Sequence, residues 1–390
     1  MTTGPQIMAS QRSTAMQSSL IRTIAEKGMG QQNILPMWFG EGCWPSSEQA
    51  VEAAAAALRA GDHFYQPNSG RLSLRQAIAE YQSRLYGSGI SSRRITVTAS
   101  GMQGLALAAQ AIADHGDRVV VLGPVWPNLA ECFKLVGARV ETVSLTANCG
   151  RWQLDMQRLL DKLTSDTTAV LVNSPNNPTG WVMQQEEQLQ LLEHCRRHGI
   201  WIVADEVYAR LCRGSDHAPS FLGIASDEDR LIAINSFSKT WSMTGWRLGW
   251  ITAPPAFESV LADLTEFNIA GPAGFIQRAG EVMLQQGEAE VRLLQQRLTQ
   301  AYTVLAERLA AMNGLSFLRP DGAFYCFFAI DGMSDSMQGA SSLLAETGLG
   351  LAPGRAFGPE GEGHLRLCYA QPPAAIHDAC DRLQSWLDSR

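Results

Sequence analysis

The run Thr167-Thr-Ala-Val-Leu-Val-Asn173, followed at once by Ser174-Pro-Asn-Asn-Pro-Thr-Gly180, decides how the chain is built. Its apolar residues are continuous rather than alternating, which is the mark of a central strand covered on both faces. The Asn-Pro and Thr-Gly pairs behind it are turn formers, so the strand exits into a loop. Working outward, short β-rich runs recur at 95–98, 118–122, 139–145, 169–173, 200–204, 231–235 and 248–252. Helical patterns lie between most of them, for example at 103–113 and 184–198, and the alanine-rich run 51–60 also reads as a helix. Strands alternating with helices predict an α/β fold with a mainly parallel seven-stranded sheet between helices.

Beyond Pro272 the character changes. Residues 277–312 read as one or two long helices, 324–330 and 365–368 as strands, and 374–389 as a helix. The expected division is a large domain over 45–288 and a smaller α+β domain from 1–44 and 289–390. A length of 390 residues suits one large and one smaller domain.

Composition narrows the function classes. A net charge of −7 without a basic cluster argues against nucleic acid as a partner. No apolar stretch is long enough to span a membrane. Residues 1–30 lack the apolar core of a signal peptide, so the cytoplasm is the expected location. The eight cysteines form no CxxC pair or zinc spacing, and most are expected as buried free thiols. Arginines outnumber lysines 27 to 4, which makes each lysine easy to single out.

One of those lysines sits in the densest motif, Ser236-Phe-Ser-Lys239-Thr-Trp-Ser-Met-Thr-Gly-Trp-Arg247. A lysine amine can hold an aldehyde cofactor as an imine. Hydroxyls of Ser236 and Ser238, with the Arg247 guanidinium, suit a phosphate. Asp205-Glu-Val-Tyr208 follows a buried strand, where an acid serves equally as a helix cap. Thr98-Ala-Ser-Gly-Met-Gln103 lies between a strand and a helix, where backbone N–H groups favour an anion.

These motifs, in this order and with Asn173–Gly180, resemble the class I/II aminotransferases, fold-type I enzymes dependent on pyridoxal phosphate (PLP). The resemblance runs from about Asn33 to Tyr369. It implies that Lys239 carries PLP as a Schiff base, that Asp205 (rather than Glu206) pairs with the ring nitrogen, and that Asn177 and Tyr208 bond the phenolic oxygen. It implies phosphate contacts from Ser100, Gly101 and Met102 together with Ser236, Ser238 and Arg247. Many family members have glycine in place of Ser100, which leaves a backbone role intact. Trp126 would stack on the ring. Tyr65, in His63-Phe-Tyr-Gln-Pro-Asn-Ser-Gly70, would reach the phosphate of the other subunit of a homodimer, or else is a packing aromatic.

Arg366, in His364-Leu-Arg-Leu-Cys-Tyr-Ala370, would bind the substrate α-carboxylate, for which a planar guanidinium is suited. Gly40, Trp38 and Asn177 are the accompanying substrate contacts. The segment Met37-Trp-Phe-Gly-Glu-Gly-Cys-Trp44 departs from the commoner Gly-Glu-Pro-Asp pattern. Its aromatics Trp38, Phe39 and Trp44 either line an apolar substrate pocket or pack between domains. Arg355 is an extra arginine where serine is common, and it either faces solvent or meets a second carboxylate. The implied activity moves an amino group from an L-amino acid to a 2-oxo acid such as 2-oxoglutarate or pyruvate, by a ping-pong route. A PLP β-lyase, decarboxylase or cyclising synthase would use the same motifs. A PLP-sensing regulator would need a DNA-binding module, and the residues before Asn33 are too few for one.

Overall fold

The computed structural model describes residues 9–14 and 16–390. Seven strands form the central sheet: β1 (Ile95–Thr98), β2 (Arg118–Gly123), β3 (Arg139–Ser144), β4 (Thr167–Asn173), β5 (Trp201–Asp205), β6 (Leu231–Ser236) and β7 (Gly249–Thr252). Their spatial order is β1-β7-β6-β5-β4-β2-β3. Every pairing is parallel except those of β7, which runs antiparallel to both β1 and β6. The expected mainly parallel seven-stranded sheet is therefore present.

The continuity of the apolar runs has a direct cause. Val170 and Val172 of β4 enter one core, and Ala169 and Leu171 enter a second core on the opposite face. The same split divides Val120 and Leu122 from Val119 and Val121 in β2, and Ile202 and Ala204 from Val203 in β5. Each fully buried aliphatic side chain contributes roughly 1.5–3 kcal/mol, so the central strands β2, β4 and β5 are held from both sides, whereas the edge strand β3 leaves Arg139, Glu141 and Thr142 exposed.

The expected helical stretch 277–312 is two helices, Gly274–Gln286 and Glu288–Ala310, meeting at Gly287. The first packs against Glu48–Arg59 and Leu72–Tyr86, and the second against the C-terminal helix Pro373–Asp388. A four-stranded antiparallel sheet lies beyond them: β8 (Leu315–Phe317), β9 (Tyr325–Ile330), β10 (Ala352–Pro353) and β11 (His364–Cys368), in the order β8-β9-β11-β10. Leu35–Pro36 pairs in parallel with Leu349–Gly350, which ties the N-terminal segment to this second layer. The cysteines are unpaired; five are buried, but Cys43 and Cys149 are exposed. Both lie in loops outside the helices and strands, and the expectation of burial holds for most of the cysteines but not for these two.

Candidate active site

Six of the seven strands run the same way, so their carboxyl ends share one edge, where open α/β sheets bind ligands. Five of those ends deliver site residues. The loop after β1 leads into the helix Gly101–Ile112, capped by Ser100, whose hydroxyl accepts from the Gln103 N–H at 3.3 Å. Trp126 follows β2, Asn177 follows β4, Asp205 ends β5 and Ser236 ends β6. Lys239 stands on the single turn Phe237–Thr240.

A cavity of about 380 Å³ gathers Lys239, Asp205, Tyr208, Gly101, Met102, Trp126, Asn177, Ser236, Ser238, Arg247, Arg366, Gly40 and Trp38. Two expected residues are not in its wall. Ser100 is buried beneath the helix start, where it acts as the cap. Tyr65 is 90 % exposed on the outside of the chain. Of the adjacent acids, Glu206 is buried elsewhere and accepts from the Ser220 hydroxyl at 2.9 and 2.7 Å, leaving Asp205 to face the cavity. Arg355 is outside the wall and reaches Glu362 at 3.9 Å.

The aromatic segment after Met37 closes the cavity from above. Lys239 Nζ donates to the Gly40 carbonyl at 2.5 Å, and an Arg366 Nη donates to the Trp38 carbonyl. The other Arg366 Nη donates to Asn177 Oδ1 at 2.9 Å. Asn177 is itself fixed, because its N–H donates to Asn173 Oδ1 at 2.8 Å. Trp38 packs on the backbone of Gly28 and Gly350, so it serves as a wedge between elements as well as cavity wall.

Sequence reasoning missed Tyr325 in β9. Its hydroxyl meets that of Tyr208 at 2.6 Å, and the Arg366 guanidinium lies 4.5 Å over its ring. A Cβ on Gly40 would fall 1.9 Å from the Tyr325 oxygen, so only glycine fits there. Gly249 is constrained likewise: its Cβ would come within 2.8 Å of Gly101 N, so β7 can slide beneath the helix start only without a side chain. Tyr325 stands in an aromatic strand that reads simply as core, and no spacing sets it apart. Arg22 and Asn128 also line the cavity without having been singled out.

Burial tunes the ionisable groups. Desolvation lowers Lys239 to about 8. Desolvation raises Asp205 to about 7 against a single N–H from Val207. Burial pushes Tyr208 and Tyr325 upward. Arg247 has a left-handed backbone, φ 56°, and its guanidinium donates to the Thr244 carbonyl at 2.5 Å.

The donor set fits PLP. A helix start with free N–H groups, two serine hydroxyls and a guanidinium suit a phosphate. A buried carboxylate with one weak partner suits a protonated ring nitrogen. Arg366 Nε is buried and has no acceptor among the described residues, which suits an incoming carboxylate.

An amine of lowered basicity, a buried acid and a set of donors suited to a phosphate line one cavity at the carboxyl edge of this sheet, an arrangement that fits a fold-type I PLP enzyme. The family pattern for aminotransferase class I and II matches residues 37–383. The chain is similar to an aspartate aminotransferase of Pyrococcus horikoshii, 30% identical over 97% of both chains. It is 32% identical to an arginine–pyruvate transaminase of Pseudomonas aeruginosa over 93% of this chain and 92% of that one. The solved aspartate aminotransferase of Thermus thermophilus with maleate superposes with a TM-score of 0.90 at 30% identity, covering 98% of this chain and 100% of that one. The chain therefore belongs to the class I and II aminotransferases, a family of PLP-dependent transaminases.

Proposed function

We propose that this enzyme moves the amino group of an L-amino acid to a 2-oxo acid in two half-reactions, with Lys239 as the attachment point of PLP. When bound, PLP supplies the aldehyde that captures an amine and the ring that accepts the electron pair released at Cα. Arg366 binds the α-carboxylate through its two-pronged guanidinium and thereby fixes the direction of the Cα–H bond. Lys239 Nζ takes the Cα proton and returns it one position away, for which its lowered basicity is suited. Asp205 would hold the proton of the ring nitrogen. Tyr208 and Asn177 would hold the phenolic oxygen, and Trp126 would cover the ring.

The observation that carries this reading is the convergence of Lys239, Asp205 and Arg366 on one cavity from three separate elements. Relatives named for aspartate and for arginine with pyruvate differ in substrate, so membership of the family leaves the donor open. A homodimer with shared sites is part of the same reading. It is supported by Phe64 and Tyr65, 75% and 90% exposed, on a loop that packs against Gly271 and Gly274 near the equally bare Phe267. The break between helices at Gly287 supports a domain boundary at 288.

The test is a screen of L-amino acids against 2-oxoglutarate and pyruvate with the PLP-loaded protein, beside a Lys239→Ala variant. Turnover by the wild type and loss of the borohydride-reducible chromophore in the variant are expected. No turnover with any pair would reject transamination, and a retained covalent chromophore would assign PLP to another lysine.

A further inference from the structure

Resting on that reading, we infer that Arg22 recognises the distal carboxylate of a dicarboxylic 2-oxo acid, or of the amino acid formed from it. The helix Leu20–Gly28 begins at Ser19, whose side chain accepts from the Arg22 N–H. It is fastened by Ile21, Ile24, Ala25 and Gly28, which are buried. Gly28 lies against Trp38, where an added Cβ would meet the indole at 2.8 Å. That packing fixes the first turn at the cavity, and Ser19, Ile21 and Arg22 form part of its wall beside Lys239 and Arg366.

Stability does not explain a cation at this position. The positive end of the helix dipole disfavours a cation in the first turn. No acid occupies that turn, and among the described residues no carboxylate lies within salt-bridge distance of Arg22. Its guanidinium instead stands 5.8 Å from the centre of the Phe39 ring.

The other cations of the wall are committed. Lys239 and Arg366 serve the reacting carbon and the α-carboxylate, and Arg247 belongs to the phosphate cradle. Arg355, the second arginine singled out by sequence, turns to Glu362 outside the cavity. Arg22 is thus the wall cation left for a second carboxylate. The same wall carries the apolar Ile21, Trp38, Phe39 and Met102 beside the polar Ser19, Glu41, Asn128 and Thr244, and the Arg22 guanidinium lies next to Phe39. Arg22 is exposed, so its head can move into solvent when an apolar side chain occupies that wall. One site then accepts an apolar donor and a dicarboxylic acceptor in turn.

The experiment measures binding of glutarate and of hydrocinnamate to the PLP-loaded protein by calorimetry, in wild type, Arg22→Met and Arg22→Lys. Methionine keeps an apolar stem over Phe39, and Arg22 is a surface residue whose replacement leaves the core intact. Arg22→Met should weaken glutarate about ten- to a hundred-fold, the worth of a charged hydrogen bond, and change hydrocinnamate by less than about two-fold. Arg22→Lys should fall between. In turnover, kcat/KM for 2-oxoglutarate should fall with that loss while kcat with apolar donors holds. Equal weakening of both anions, no change in either, or a wild type that fails to bind glutarate would each overturn the assignment. If no amino acid is turned over, the transaminase reading falls, yet the contrast between the two anions still decides the role of Arg22.

Discussion

Gly40→Ala is the smallest change that should break this site. The added methyl would lie 1.9 Å from Tyr325 Oη and 3.0 Å from its Cζ. To regain a tolerable 3.0 Å, the hydroxyl must retreat by about 1.1 Å. It cannot do so freely, because it is buried and bonded to Tyr208 at 2.6 Å. The alternative is that the segment 38–41 lifts, which pulls the Trp38 carbonyl from Arg366 and the Gly40 carbonyl from Lys239. Overpacking a tight site costs about 1–3 kcal/mol, and on the proposed function misplacing the Arg366 guanidinium by about 1 Å costs about a hundred-fold in rate. Tyr325→Phe removes the oxygen and leaves only the 3.0 Å contact. A double-mutant cycle in urea unfolding and in kcat/KM should therefore show at least about 1 kcal/mol of coupling, with Tyr325→Phe rescuing part of the Gly40→Ala loss. Additive effects, or a Gly40→Ala enzyme with normal stability and rate, would refute the steric account.

Three further outcomes are expected. Lys239 is lowered to about 8 from 10.5 by burial, so between those values the unfolded chain holds a proton that the folded, cofactor-free chain lacks, and stability from this group rises with pH. Lys239→Met should thus be more stable than wild type near neutrality, with the advantage shrinking from pH 8 to 10.5 in paired denaturation curves; a constant difference would contradict the burial. Arg366→Lys cannot reach both Asn177 and Trp38, and should lower kcat/KM at least about a hundred-fold, with less than about a two-fold change in PLP affinity, read by steady-state kinetics and cofactor titration. Mixing inactive Tyr65→Ala and Lys239→Ala chains should restore about a quarter of the native sites if each site draws on both subunits; absence of any regain would confine Tyr65 to packing.

Much of this was legible in the chain. All seven strands of the main sheet announced themselves as short β-rich runs between helical patterns, the central ones apolar on both faces, and the motifs stood at their exits. The direction of β7 was not, since an antiparallel insertion leaves no trace in a buried run. Leu35–Pro36 and Leu349–Gly350 are too short for any period to register. Tyr325 was hidden because its role depends on Gly40, 285 positions away, whose missing side chain makes the room. Arg22 stands in no motif, and only the packing of its helix against Trp38 brings it to the cavity wall. Tyr65 illustrates the opposite case: the motif is plain, but a single chain leaves its ring in solvent.

The pairing of Leu35–Pro36 with Leu349–Gly350 sets an order of events at the ribosome. The helix that carries Arg22 and the lid that touches Lys239 are made first, yet their docking strand emerges more than 300 residues later. At about 5–20 residues per second, they wait some 15–60 s for it. Through that interval Trp38 lacks the Gly350 side of its slot, and the nascent segment presents its aromatics to whatever surrounds it. The main sheet needs nothing beyond Thr252 for its strands and can collapse meanwhile. The roof of the cavity therefore closes only after the strands of the main sheet are complete, and Arg366, which bonds the Trp38 carbonyl, emerges later still.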